Sequence, residues 1–106
     1  MIVVSDSSPL ITLSKIDHLH VLPGLSGNIH IAPAVFSEVT LTGAGLWGAA
    51  EVARAEWVRV KPLESDAQIS PENSAGLGAG EISAVLLARQ LEADLVLMDD
   101  RKARAL

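Results

Sequence analysis

The 106-residue chain has no cysteine and only three aromatic residues, Phe36, Trp47 and Trp57. Without cysteine there are no disulfide staples and no thiolate metal sites, a composition compatible with a reducing cytosol. So few aromatics argue against a platform on which nucleic-acid bases stack. The N-terminus carries no basic region, and no apolar run approaches the length of a bilayer span, so the expectation is a soluble, cytoplasmic protein without a secretion signal. Cations are also scarce: 8 Lys and Arg stand against 13 Asp and Glu, giving a formal charge of −5. That balance argues against a module holding nucleic acid through a broad basic surface. It leaves room for an enzyme whose acids hold divalent cations, because the working charge then sits on the metal.

What the chain does have is apolar sequence, 49% of the residues, enough for one domain with a real core over residues 1–106. The opening run Ile2-Val3-Val4 passes into Ser5-Asp6-Ser7-Ser8-Pro9-Leu10. This reads as a strand, a turn and a helix start, with Ser8 the candidate N-cap and Pro9 the first helical residue. Leu10, Leu13 and Ile16 then keep helical spacing. Asp6 falls at the strand end, where it is either a functional acid or an ordinary turn residue. His18-Leu19-His20 has the spacing of a metal pair, but no third ligand is near, and surface histidines are the better reading.

The layout recurs. An alternating strand, Asn28-Ile29-His30-Ile31, runs into Pro33-Ala34-Val35-Phe36-Ser37-Glu38-Val39, a helix begun by proline. Glu38 lies about a turn and a half into that helix, from which it can point back toward the strand ends. Thr40 to Gly43 is expected to break the helix, and an alanine-rich helix is expected from Ala44 to Glu56, with Trp47 in its packing face. Trp57-Val58-Arg59-Val60-Lys61 alternates like an edge strand whose cations face solvent.

From Leu63 to Gly80 the composition is that of a long loop. Gly76-Leu77-Gly78-Ala79-Gly80 is not a dinucleotide fingerprint, because Glu81 stands where the third glycine belongs and no strand precedes it. These glycines instead let the backbone enter a close-packed helix from about Gly80 to Glu92, with Glu81 in the first turn at the favourable end of the helix dipole. Leu95-Val96-Leu97-Met98 has the unbroken apolar character of an internal parallel strand and ends at Asp99-Asp100. Arg101, Lys102 and Arg104 follow, three cations that call for an acidic or phosphate partner.

Asp6, Glu38, Glu81 and Asp99 or Asp100 thus all fall near strand ends in an α/β pattern. Carboxylates gathered at one crevice repel unless they protonate or bind a cation. Hard oxygen donors without thiolates select Mg²⁺ or Mn²⁺ over Zn²⁺.

The stretches Val4-Ser5-Asp6-Ser7-Ser8-Pro9-Leu10-Ile11, Pro33 to Val39, Gly80-Glu81-Ile82-Ser83-Ala84 and Leu95 to Arg104 together resemble the PIN domain family, in particular a subgroup similar to the VapC-type toxins. The resemblance spans nearly the whole chain. It implies a three-layer α/β fold with a central, mainly parallel sheet, and a metal-dependent ribonuclease using Mg²⁺ or Mn²⁺. Carried over by position, Asp6, Glu38, Glu81 and Asp99 are the catalytic acids and metal ligands, with Asp100 the alternative fourth acid. Ser7 is the small hydroxyl beside the first acid, and Arg101, Lys102 and Arg104 are the residues for the RNA backbone. An antitoxin-like protein and a homodimer are the implied partners. Against the family pattern, Glu81 replaces the usual Asp, and the helix and strand that normally follow the fourth acid are expected to be missing. The competing expectation is therefore a non-catalytic PIN-like domain that works through protein binding.

Overall fold

In the computed structural model, residues 1–42, 48–64 and 78–98 are described. The first strand, β1 (Val3–Ser5), is buried along its whole length. It lies between β2 (Ile29–Ile31) and β4 (Leu95–Leu97), and β3 (Val58–Val60) pairs with the far side of β2, giving the order β3-β2-β1-β4. Every pairing is parallel: Val3 stands against Ile29 and Leu95, and Ile29 against Val58. A parallel sheet buried on both faces wants the continuous Val and Ile character of β1 and β2.

The chain crosses the sheet in one direction from β1 to β3, then returns over β2 and β1 to reach β4. Right-handed crossovers put the outgoing helices and the returning helix on opposite faces. The result is the three-layer α/β architecture that the resemblance implies. Val3, Val4, Ile29, Ile31, Leu10 and Leu87 are fully buried at its centre. Among the described residues no helix is long and apolar enough to cross a membrane.

Helix α1 (Ser7–Lys15) begins two residues earlier than expected. Asp6, not Ser8, is the N-cap, with extended backbone (φ −83°, ψ 175°), and Pro9 is the third helical residue. Proline costs nothing there, because the first four helical N–H groups have no partner within the helix. A 3₁₀ turn (Leu19–Val21) and the short α2 (Pro23–Ser26) lead to β2. Helix α3 (Pro33–Ser37) starts at proline as expected, but it does not break at Thr40. It continues as a π-helical turn, Glu38–Thr42, in which the Thr40 hydroxyl donates to the Phe36 carbonyl at 2.7 Å. Such back-bonding by a β-branched residue bends a helix without ending it.

Helix α4 (Ala49–Arg54) covers part of the expected 44–56 helix, and Trp47 lies outside the described residues. Gly48 precedes it with φ +87°, where a side chain would also press on Ser14 Oγ at 3.0 Å. Helix α5 (Ala79–Leu91) matches the expected 80–92 helix closely and packs on β1, β4 and α3, burying Ala84, Val85, Leu86 and Leu87. Its Gln90 ties down the segment after β3, accepting from Glu64 N at 2.9 Å and donating to the Pro62 carbonyl at 3.1 Å. One strand is placed differently from its sequence pattern. Leu95-Val96-Leu97 reads as an internal strand, but β4 ends the row of described strands, and Leu95 is 39% exposed.

Candidate active site

Because the strands are parallel, their carboxyl ends share one edge. Asp6 stands there directly after β1, and its backbone N–H donates to the Leu97 carbonyl of β4 at 2.9 Å. That bond fixes the main chain, and capping fixes the side chain: Ser7 N donates to Asp6 Oδ1 at 2.7 Å. Asp6 is 1% exposed, unusual for a carboxylate and tolerated only with compensating donors or charge.

Glu38 comes from the neighbouring unit, at the junction between α3 and the π-helical turn. A π turn rotates the residues at its start relative to a regular helix, a distortion common at functional sites. Ser7, itself 3% exposed, donates its hydroxyl to Glu38 Oε1 at 2.9 Å. One serine therefore holds two acids, Asp6 through its backbone and Glu38 through its side chain.

The third wall is the first turn of α5. A β-carbon on Gly80 would overlap Glu38 Oε2 and would lie 3.5 Å from Asp6 Oδ1. Both carboxylates thus converge on the backbone of the second residue of α5, where the positive end of the helix dipole offsets part of their repulsion.

Glu81, the next residue, caps its own helix with one carboxylate oxygen. Its Oε2 accepts from Gly78 N at 2.5 Å, closing back on the N-cap of its own helix. This is half of a capping box, the other half being absent because Gly78 has no side chain. Among the described residues no group of three or more His, Asp or Glu side chains is arranged to hold a metal ion. Asp99, Asp100, Arg101, Lys102 and Arg104 lie outside the described residues. Of the acids expected at the crevice, the structure brings together Asp6 and Glu38. The two fit a divalent cation of the hard class, since Mg²⁺ is characteristically held by one or two carboxylates and completes its shell with water and substrate phosphate.

Two features were not visible in the sequence pattern. Ser7 is the small hydroxyl beside the first acid, yet that hydroxyl goes to Glu38, and it is the backbone N–H that serves Asp6. The sequence pattern makes Gly80 a packing glycine, whereas what it admits is a pair of carboxylate ends. Its place immediately before an acid in a helix's first turn was the available signal.

The remaining candidates stand apart. The rings of His18 and His20 stack with centroids 6.1 Å apart, and both side chains are exposed. A cavity of about 330 Å³ is lined by Asp17, Leu19, His20, Glu51, Arg54, Ala55 and Trp57, and it includes neither Asp6 nor Glu38. His30, in the middle of β2, has its pKa lowered below the usual 6.5, first by burial and then by the nearby Lys61 and Arg59.

A family model described as PIN domain matches residues 2–106 of the chain. Comparisons with curated proteins and with solved structures gave no match.

Proposed function

The chain belongs to the PIN domain family, whose members are generally nucleases, and from that premise we propose that it is a metal-dependent ribonuclease hydrolysing RNA phosphodiesters. The observation that carries this reading is the convergence of Asp6 and Glu38, tied together by Ser7 at the carboxyl edge of the sheet. In this proposal Asp6, Glu38, Glu81 and Asp99, or Asp100 in its place, supply the metal-binding oxygens. Arg101, Lys102 and Arg104 contact the RNA backbone, and Ser7 lies beside the bound strand.

When bound, Mg²⁺ or Mn²⁺ supplies an activated water and neutralises charge developing on the phosphate. The chain's own part is positional. Asp6 is held by its buried strand end, so its carboxylate needs little reorganisation on binding. Glu38 is exposed and tethered at one oxygen, which leaves its other end free to adjust. Glu81 is held to Gly78 N through Oε2, and its Oε1 is the oxygen it would offer to the cation. The same reading places the protein in the cytoplasm as the toxin of a toxin–antitoxin pair, with an antitoxin-like protein and a second copy of the chain as partners.

Titration with Mn²⁺ by calorimetry and cleavage of a labelled RNA test the proposal together. Wild-type protein is expected to bind Mn²⁺ and cleave, and Asp6→Asn to do neither while staying folded. Absence of Mn²⁺ binding at millimolar metal would sink it in favour of a PIN-like domain acting through protein contacts. Metal-independent cleavage, or equal activity in Asp6→Asn, would reject the metal site while leaving the fold assignment intact.

A further inference from the structure

We infer that Gly80 is a positioning residue of the carboxylate pair: its lack of a side chain sets how closely Glu38 approaches Asp6. This rests on the reading that the pair binds a divalent cation, and it adds a determinant of that site which is not itself a ligand.

The argument starts from the contacts. A β-carbon at position 80 would overlap Glu38 Oε2, come within 3.4 Å of Glu38 Cδ and sit 3.5 Å from Asp6 Oδ1. Oxygen and carbon do not share such space, so any residue larger than glycine forces something aside. Asp6 has little freedom to move, being buried, capped by Ser7 N and anchored to Leu97. Helix α5 has little freedom either, since Ala84 and Leu87 on the turns above are fully buried. The part that yields is the exposed end of Glu38, whose displacement opens its 2.9 Å bond from Ser7 Oγ.

The backbone at Gly80 is helical, and glycine inside a helix is less favourable than alanine. Glycine here is therefore not explained by helix stability, and the close approach of the two acids supplies the reason. Moving a supporting contact of this kind lowers metal affinity by about ten- to a hundredfold in metal sites generally.

The test is a double-mutant cycle of Gly80→Ala and Glu38→Ala, read by Mn²⁺ calorimetry and thermal melting, with a crystal structure of metal-free Gly80→Ala. The expected result is a Tm equal to or above wild type, Mn²⁺ affinity reduced about tenfold, and no further reduction when Gly80→Ala is added to Glu38→Ala. In the crystal the Glu38 carboxylate is expected to have left Ser7 Oγ. Unchanged Mn²⁺ affinity would overturn the inference. So would an equal loss in the Glu38→Ala background, which would show that Gly80 acts by another route. Failure of Gly80→Ala to fold would overturn it as well, since it requires only a flexible side-chain end to move. If wild-type protein binds no Mn²⁺, the metal reading fails on its own account. The crystal structure then decides for or against Gly80 by whether Glu38 stays on Ser7.

Discussion

Ser7 binds Asp6 and Glu38 with different atoms: its N–H donates to Asp6 Oδ1 at 2.7 Å, and its hydroxyl to Glu38 Oε1 at 2.9 Å. The two functions can therefore be separated by mutation. Ser7→Ala removes the hydroxyl and leaves the backbone cap of Asp6 untouched. Stability is expected to fall by about 1 kcal/mol, the usual net contribution of a hydrogen bond and less than a bond to a buried charge would give, because Glu38 is exposed. Mn²⁺ affinity is expected to fall by about tenfold as Glu38 loses its tether. Urea denaturation and calorimetry measure the two effects, and Ser7→Thr, which keeps the hydroxyl, should restore most of the affinity.

Asp6 combines two tasks, capping α1 and presenting a carboxylate at the sheet edge. Asn caps a helix about as well as Asp, whereas Ala at a cap costs about 1 kcal/mol, up to about 2. Asp6→Asn is therefore expected to melt near wild type but to lose Mn²⁺ binding and RNA cleavage. Asp6→Ala should lose both stability and binding. Thermal melts of the two variants, run beside the cleavage assay, distinguish a carboxylate that works on a cation from one that only ends a strand.

How much of this was legible beforehand depended on whether the information was local. The strand-then-proline pattern occurs twice, from Val4 to Pro9 and at Ile31-Ala32-Pro33, and it puts Asp6 and Glu38 near one edge, as the structure has them. The choice of cap was not legible, because Asp6 and Ser8 are both short polar residues, and the backbone angle at Asp6 decides between them. Thr40 looked like a helix end from its propensity, yet its hydroxyl finds the Phe36 carbonyl and the helix continues as a π turn. β4 has the apolar run of an interior strand, but its neighbours are set by the crossover from α5, which composition does not encode. Glu81 was harder still. A glutamate at the third helical position serves a cap and a cleft equally well, and only the position of Gly78 N shows that one of its oxygens serves the cap here.

That cap gives a prediction of its own. Glu81→Gln keeps an oxygen acceptor for Gly78 N, so the stability of α5 should be retained. Glu81→Ala removes it and should cost about 0.5–1 kcal/mol, the lower part of the range for lost caps. Chemical denaturation of the two variants is the measurement. An equal loss in both would show that charge at the helix dipole, not the hydrogen bond, is what stabilises the turn.

His30 makes the stability of the sheet depend on pH. Burial, followed by the charges of Lys61 and Arg59, lowers its pKa below the 6.5 of a free imidazole, and its Nδ1 is buried without a hydrogen-bond partner. Above pH 6.5 the ring is neutral in both folded and unfolded chains, and it contributes no pH dependence. As the pH falls below that value the unfolded chain takes up the proton first, so the folded state loses stability until the pH reaches the lowered folded pKa. Below that point the loss from this group levels off. His30→Leu should flatten this part of the stability curve, measured by urea denaturation at intervals between pH 8 and pH 4. Lys61→Ala should raise the His30 pKa toward its ordinary value by removing the larger of the two charge contributions. The histidine titration followed by NMR in that variant isolates the effect of Lys61, and an unchanged pKa would leave the shift to burial and Arg59.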